Sequence, residues 1–179
     1  YEIPKRDWSS DVCSSDLRVF GTVRNSTRAA GMNQGDKPWR TVLAFDGVSM
    51  SPAIRAAIAD SHHVLVSVPP DASGDVVLAV CGTALSQAPR LRSVVYLSTI
   101  GVYGNHDGAW VDEESECRPG AQRSLQRRAA EQSWQDFGTR AGVPIAILRL
   151  AGIYGPGQKD RKSTRLNSSH VSESRMPSS

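Results

Sequence analysis

The chain has 179 residues, 39% of them hydrophobic, with 21 Lys and Arg against 18 Asp and Glu. That near balance argues against a nucleic-acid partner, which calls for a basic domain or a clustered basic stripe. No stretch approaches the ~20 apolar residues of a membrane span, and the three cysteines show neither a Cys-x-x-Cys pair nor a plausible zinc spacing, so no metal site is expected.

The first segment in chain order, Tyr1–Leu17, has an unusual relation to the last. Codons can be chosen for it whose reverse complement, read one base in, encodes Asp160–Arg175 residue for residue. The string also resembles a sequencing-library adapter, and protein-level selection does not act on the reverse strand. Tyr1–Leu17 and Lys159–Ser179 are therefore expected to be adapter-derived tails around a native Arg18–Gln158, and are set aside before the fold is argued. Within Arg18–Gln158 stand 14 basic and 12 acidic residues, and Cys81 and Cys117. Two unpaired cysteines suit a reduced, cytoplasmic setting.

Leu17–Val23 reads as a strand, followed by the polar Arg24–Arg28. Thr41–Asp46 is a second strand closed by Gly47. Pro52–Ala59 places Pro in a first helical turn ahead of an amphipathic Ile-Arg-Ala-Ala-Ile-Ala. His62–Val68 is a third strand stopped by Pro69 and Pro70, Asp75–Ser86 an apolar helix, and Leu91–Thr99 a fourth strand. A loop rich in glycine and acidic residues leads to a helix over Ser124–Ala141, and Ile145–Tyr154 forms a fifth strand. Near-continuous Val/Ile/Leu runs separated by helices predict strands buried on both faces of a parallel sheet, hence an open, doubly wound α/β fold. Ligands of such folds lie beyond the carboxyl ends of the strands. Attention therefore falls on Thr22–Asn25, Asp46–Gly47, Val68–Pro70, Ser98–Gly101 and Ala151–Gly155.

Two of these ends carry recognisable motifs: Tyr-Leu-Ser-Thr-Ile-Gly-Val-Tyr-Gly at Tyr96–Gly104 and Leu-Arg-Leu-Ala-Gly-Ile-Tyr-Gly-Pro-Gly at Leu148–Gly157. With Val66–Pro70 and the Gly-Ala-Trp-Val-Asp-Glu of Gly108–Glu113, the chain resembles the NAD(P)-dependent epimerase/dehydratase branch of the extended short-chain dehydrogenase/reductases, across essentially all of Arg18–Gln158. The resemblance implies a Rossmann fold lacking its first strand and glycine-rich turn. It also implies a small-molecule substrate, and no nucleic acid or membrane.

Under that resemblance Arg24, at a strand end with Thr22 and Asn25 and no acidic neighbour, favours NADP over NAD, since an acidic residue there would bind the ribose 2′-hydroxyl. It also reads as an ordinary solvated arginine. Asp46 and Gly47 fall near the adenine edge, or form a plain Asp-Gly turn. Val68 and Pro69 wall the adenosine pocket, while Gly152 and Ile153 close the last strand near the nicotinamide.

Thr99 matches the family's strand-end hydroxyl, which hydrogen-bonds the substrate oxygen, and Ser98 is its neighbour. The family's Tyr-x-x-x-Lys element should open the following helix, where the lysine lowers the tyrosine pKa. Here Ser124 stands for Tyr and Arg128 for Lys, and neither exchanges a proton near neutral pH. Tyr103 is a packing residue or a substitute acid, and His106 a loop residue or acid/base candidate. Trp110 is expected to pack the acidic loop down. The expected activity is that of an oxidoreductase or epimerase, in a chain itself inactive. The alternative is a dinucleotide-binding sensor or scaffold that kept the fold and lost the catalytic tyrosine.

Overall fold

Strands and helices alternate through the computed structural model, which describes residues 17–34 and 40–152. The expected tails lie almost entirely outside these residues, as do Ile153 and Tyr154. The strands are β1 (Val19–Val23), β2 (Arg40–Ala44), β3 (His63–Val66), β4 (Ser93–Thr99) and β5 (Ile145–Leu150). The helices are α1 (Ser26–Met32), α2 (Pro52–Asp60), α3 (Val76–Ser86) and α4 (Gln122–Ala141), with a 3-10 turn at Ile100–Val102.

Local chemistry sets each helix boundary. Helix α1, absent from the sequence reading, starts where the Asn25 carboxamide accepts from Arg28 N–H at 3.2 Å. Ser51 caps α2 with Pro52 in its first turn. Asp75 accepts from Val77 and Leu78 N–H at 3.0 and 2.9 Å, placing a carboxylate at the positive end of α3. Helix α4 stops at Gly142, whose φ of 67° is the left-handed conformation that closes a helix.

All strand pairs are parallel, as the apolar runs predict, but the ladder is divided in two: β1–β2, and β3–β4–β5 with β4 central. Helix α1 lies on β1 and β2, while α2, α3 and α4 pack in succession with α4 against β4 and β5. Beneath that second layer sits the core. Trp134, Tyr96 and Val94 are wholly buried, and Trp134 meets Phe137 edge-on at 5.6 Å and Tyr96 at 6.0 Å. Phe45, just past β2, joins the same cluster as Val66 of β3, so both ladders share one core.

The far edge of β2 is closed by a side chain. Asn33 donates to the Val42 carbonyl and accepts from Val42 N–H, both at 2.7 Å, as a neighbouring strand would.

Gly138 of α4 marks the tightest helix–strand approach. A Cβ there would collide with the Ile145 side chain and come within 2.7 Å of the Val143 carbonyl. Gly138→Ala is expected to lower unfolding free energy by about 1–3 kcal/mol, the usual cost of overpacking, measured by urea denaturation against Gly31→Ala, where nothing lies within 4 Å.

Candidate functional site

The carboxyl end of β4 and the first two turns of α4 meet at Gly101. Strand alternation turns Ser98 inward, where it is buried, and leaves Thr99 half-buried. The Thr99 hydroxyl accepts from Gly101 N–H at 3.2 Å and so caps the 3-10 turn. A Cβ on Gly101 would stand 2.9 Å from Ser124 Oγ and 3.6 Å from Thr99 Oγ1. Both hydroxyls therefore converge on the space that glycine leaves open.

Ser124, Arg127, Arg128 and Glu131 follow one another at helical spacing on the face of α4. Arg127 donates to the Leu97 carbonyl at 2.8 Å and the Tyr96 hydroxyl at 3.1 Å, with its guanidinium 5.6 Å over the Tyr96 ring. Arg128 donates to Glu131 at 3.1 Å. Glu131 is fully buried and also accepts from Arg149 of β5 at 3.2 and 2.9 Å, and that guanidinium lies 4.8 Å over the Tyr103 ring.

Burial pushes the Glu131 carboxyl up, but hydrogen bonds from Arg149 and Arg128, together with the nearby Ser98 hydroxyl, outweigh it and hold the group below its ordinary value. The Ser98 hydroxyl makes no hydrogen bond of good geometry, so its contribution is that of a close dipole. Glu131 is thus ionised and paired, unsuited to accepting a substrate proton. Arg149 is shifted upward, chiefly by the same bond. Burial likewise raises the Tyr96 phenol, against the opposing pull of Arg127.

Of the residues expected to act, Thr99 and Ser124 stand on either side of Gly101, with Ser98 beside Thr99 and Arg128 one turn along α4 on Glu131; Arg127, Glu131, Arg149 and Tyr96 were not among them. One signal was available: Arg149 is a charge inside an otherwise apolar strand, and such a charge requires a buried partner.

The residues expected to hold the cofactor are more scattered. Thr22 and Arg24 are exposed at the end of β1, and Asn25 is engaged as the α1 cap. Asp46 accepts from Val48 and Ser49 N–H at 2.8 and 3.1 Å, which lowers its pKa. Gly47 holds a φ of 83° close to Val76. Val68 is half-buried; Pro69 and Gly152 are exposed. Ile153 lies outside the described residues.

Among the described residues, the N-termini of α1, α2 and α3 offer no free cradle for a diphosphate. Side chains of Asn25, Ser51 and Asp75 already occupy them. A concavity of about 660 Å³ between α3 and α4 shares no lining residue with the Thr99 site.

The acidic loop departs from expectation. Trp110 is fully exposed rather than packed, because the loop is held at its base by backbone. Arg118 N–H donates to the Tyr103 carbonyl at 3.0 Å, and His106 Nε2 lies 3.1 Å from both the Tyr103 and Glu116 carbonyls. His106 is thereby a loop fastener. Tyr103 is buried beneath Arg149, in the packing role. No group of metal-binding side chains occurs among the described residues, and no helix there is long and apolar enough to cross a membrane.

A parallel α/β sheet with polar groups gathered at a strand's carboxyl end puts them where ligands of open α/β folds bind. The profile of the NAD dependent epimerase/dehydratase family matches residues 71–174, and the chain belongs to that family. Among solved structures, it is similar to a functionally unknown conserved protein from Silicibacter pomeroyi DSS, at 40% identity and TM-score 0.64 over 78% of this chain and 47% of that one. It also shares its fold with UDP-glucuronic acid 4-epimerase from Bacillus cereus in complex with NAD (19% identity, TM-score 0.60, 79% and 51% covered). A third likeness is UDP-N-acetylglucosamine 4-epimerase from Methanobrevibacter ruminantium M1 in complex with UDP-N-acetylmuramic acid (18%, 0.64, 83% and 52%). The chain spans about half the length of these structures. No curated protein matches it.

Because the Glu131 pKa is depressed on folding, its contribution is full above the ordinary value of 4.5 and is lost as pH falls through the lower folded value. Glu131→Gln is expected to cost about 3 kcal/mol near neutral pH, the penalty for breaking a buried pair, and to flatten the fall in stability below pH 4.5. Denaturant titrations from pH 3 to 7 (roughly the span over which such a carboxyl titrates) check both.

Proposed function

We propose that Arg18–Gln158 is part of an NADP-preferring protein of the epimerase/dehydratase type, cytoplasmic and acting on a small molecule, and that this chain itself turns nothing over. Tyr1–Leu17 and Lys159–Ser179 stand outside that unit. The observation that carries the reading is the convergence of Thr99 and Ser124 at Gly101. Thr99 offers a hydroxyl to a substrate oxygen. Hydride chemistry at an adjacent carbon also needs a group that takes or gives that oxygen's proton near neutral pH. The Ser124 hydroxyl is too weak an acid, and Arg127 and Arg128 remain charged.

The same substitution supports a second reading, in which the complete protein binds a dinucleotide as a sensor and catalyses nothing. The two part on one measurement: turnover of nicotinamide by the complete protein with Ser124 in place.

For this chain, NADPH oxidation over a panel of carbonyl substrates is expected to stay at background, in the wild type and in the Thr99→Ala variant alike. Turnover that Thr99→Ala abolishes would overturn the assignment of inactivity. Cofactor preference is tested with adenosine fragments. Adenosine 2′,5′-bisphosphate should bind about tenfold more tightly than 5′-AMP, some 1.4 kcal/mol, and Arg24→Ser should erase the difference. Equal binding of the two by the wild type would remove Arg24 from the site.

A further inference from the structure

We propose that the space beside Gly101 is an oxyanion site, which holds the carboxylate of a small molecule with an apolar body. The inference rests on the reading of Thr99 and Ser124 as the groups that meet a ligand, and names the chemistry of that ligand.

Hydrogen-bond donors meet here without an acceptor. Ser124 is nine-tenths buried, at 9% exposure, and its Oγ is aimed at Gly101, yet the hydroxyl has no partner among the described residues. The Thr99 oxygen accepts from Gly101 N–H, which leaves its hydrogen for another acceptor. Ser124 also stands in the first turn of α4, a helix of 20 residues. Side chains cap α1, α2 and α3, whereas α4 begins at Ala121 with no side-chain cap. Its open N–H groups therefore add partial positive charge beside the Ser124 hydroxyl.

The charges of the adjoining cluster do not balance. Arg127, Arg128 and Arg149 are all half-buried, and Glu131 is the carboxylate they bond among the described residues. Arg128 and Arg149 share it, while Arg127 donates to the Leu97 carbonyl and the Tyr96 hydroxyl, both neutral. Asp75, the other buried carboxylate, is taken up by the Trp134 indole and the α3 cap. Even with Asp75 counted, the guanidiniums outnumber the carboxylates. Buried charge calls for a partner, and a bound anion would supply one. Arg128 lies one turn from Ser124 on the same face of α4, with 37% of its side chain exposed, so its remaining N–H groups are within a ligand's reach.

The surroundings select the anion. Ile100 and Leu125, next in sequence to Thr99 and Ser124, are apolar and exposed by 48% and 46%. Such neighbours favour a hydrocarbon chain over a strongly hydrated phosphate. A planar carboxylate brings two acceptor oxygens, which match a pair of hydroxyls backed by a guanidinium. Gly101 is what keeps the approach open, since a Cβ there would crowd the Ser124 and Thr99 oxygens together.

The test is a titration of the full chain with butyrate at neutral pH, followed by amide chemical shifts, with butyramide and inorganic phosphate as comparisons. The expected result is saturable one-to-one binding of butyrate, with shifts centred on Gly101, Arg123 and Ser124. Ser124→Ala and Thr99→Val should each weaken it about tenfold, the loss of one hydrogen bond to a charged group, while keeping the wild-type melt. Arg92→Gln, at the opposite end of β4, should change nothing. Butyramide, of the same shape without the charge, should bind at least about tenfold more weakly. Equal binding of butyramide, tighter binding of phosphate, affinity that Ser124→Ala and Thr99→Val both leave unchanged, or no saturable shift at Gly101 would each overturn the proposal. The reading beneath it fails by other signs, Thr99-dependent NADPH oxidation or equal binding of the two adenosine fragments, so the two failures are told apart.

Discussion

Trp134 and Glu131 lie three residues apart on α4, both wholly buried, and both direct their polar atoms at other elements. The Trp134 indole donates at 3.1 Å to Asp75, the carboxylate that also caps α3, and Glu131 receives Arg149 from β5. One helix is thereby locked to a second helix and to a strand by bonds that tolerate little displacement. Apolar packing alone would leave α4 free to slide by fractions of a turn; a buried carboxylate without its arginine would not be tolerated. The seat of α4 in turn sets where Ser124 meets Gly101. The site geometry is a consequence of this polar clamp more than of the loop that carries Thr99.

The clamp also commits the arginines gathered near the carboxyl end of β4 to structural bonds. Arg127 is committed to the Leu97 carbonyl and the Tyr96 ring, Arg149 to Glu131 and the Tyr103 ring, and Arg128 to Glu131. These cations hold the architecture together. The one phenol close by with a perturbed pKa, Tyr96, is shifted upward by burial, opposite to what a proton-accepting phenolate requires. Strong electrostatics and proton-transfer competence are separable properties.

Most of the fold was legible because the strands are apolar runs and the helices carry their own punctuation, such as Ser51-Pro52 and Gly142. Helix α1 was not, since Ser-Thr-Arg-Ala-Ala-Gly-Met has no apolar face to recognise and is held by the Asn25 cap and its packing on β2. Thr99 and Ser124 were legible through motif spacing. The Glu131–Arg149 pair was not, because its residues sit 18 apart and meet only once the phase of α4 against β5 is known. Trp110 misled for a related reason. A tryptophan suggests packing, but the loop draws its order from the Gly104–Arg118 bridge and His106, leaving its tip nothing to cover.

The division of the sheet gives the two halves of the molecule different standing. β4 has partners on both sides and a helix against it; β1 has one partner and four exposed or half-exposed neighbours in sequence. Cooperativity between the halves rests on Phe45 within the shared core and on the exposed Arg18–Asp60 pair, and an exposed pair contributes little. The β1–β2–α1 unit is thus the part whose stability depends most on what lies beside it. It also carries Thr22, Arg24 and Asn25, three of the residues the sequence led one to expect near a cofactor. Any ligand that binds those residues only in the folded unit would stabilise it by linkage.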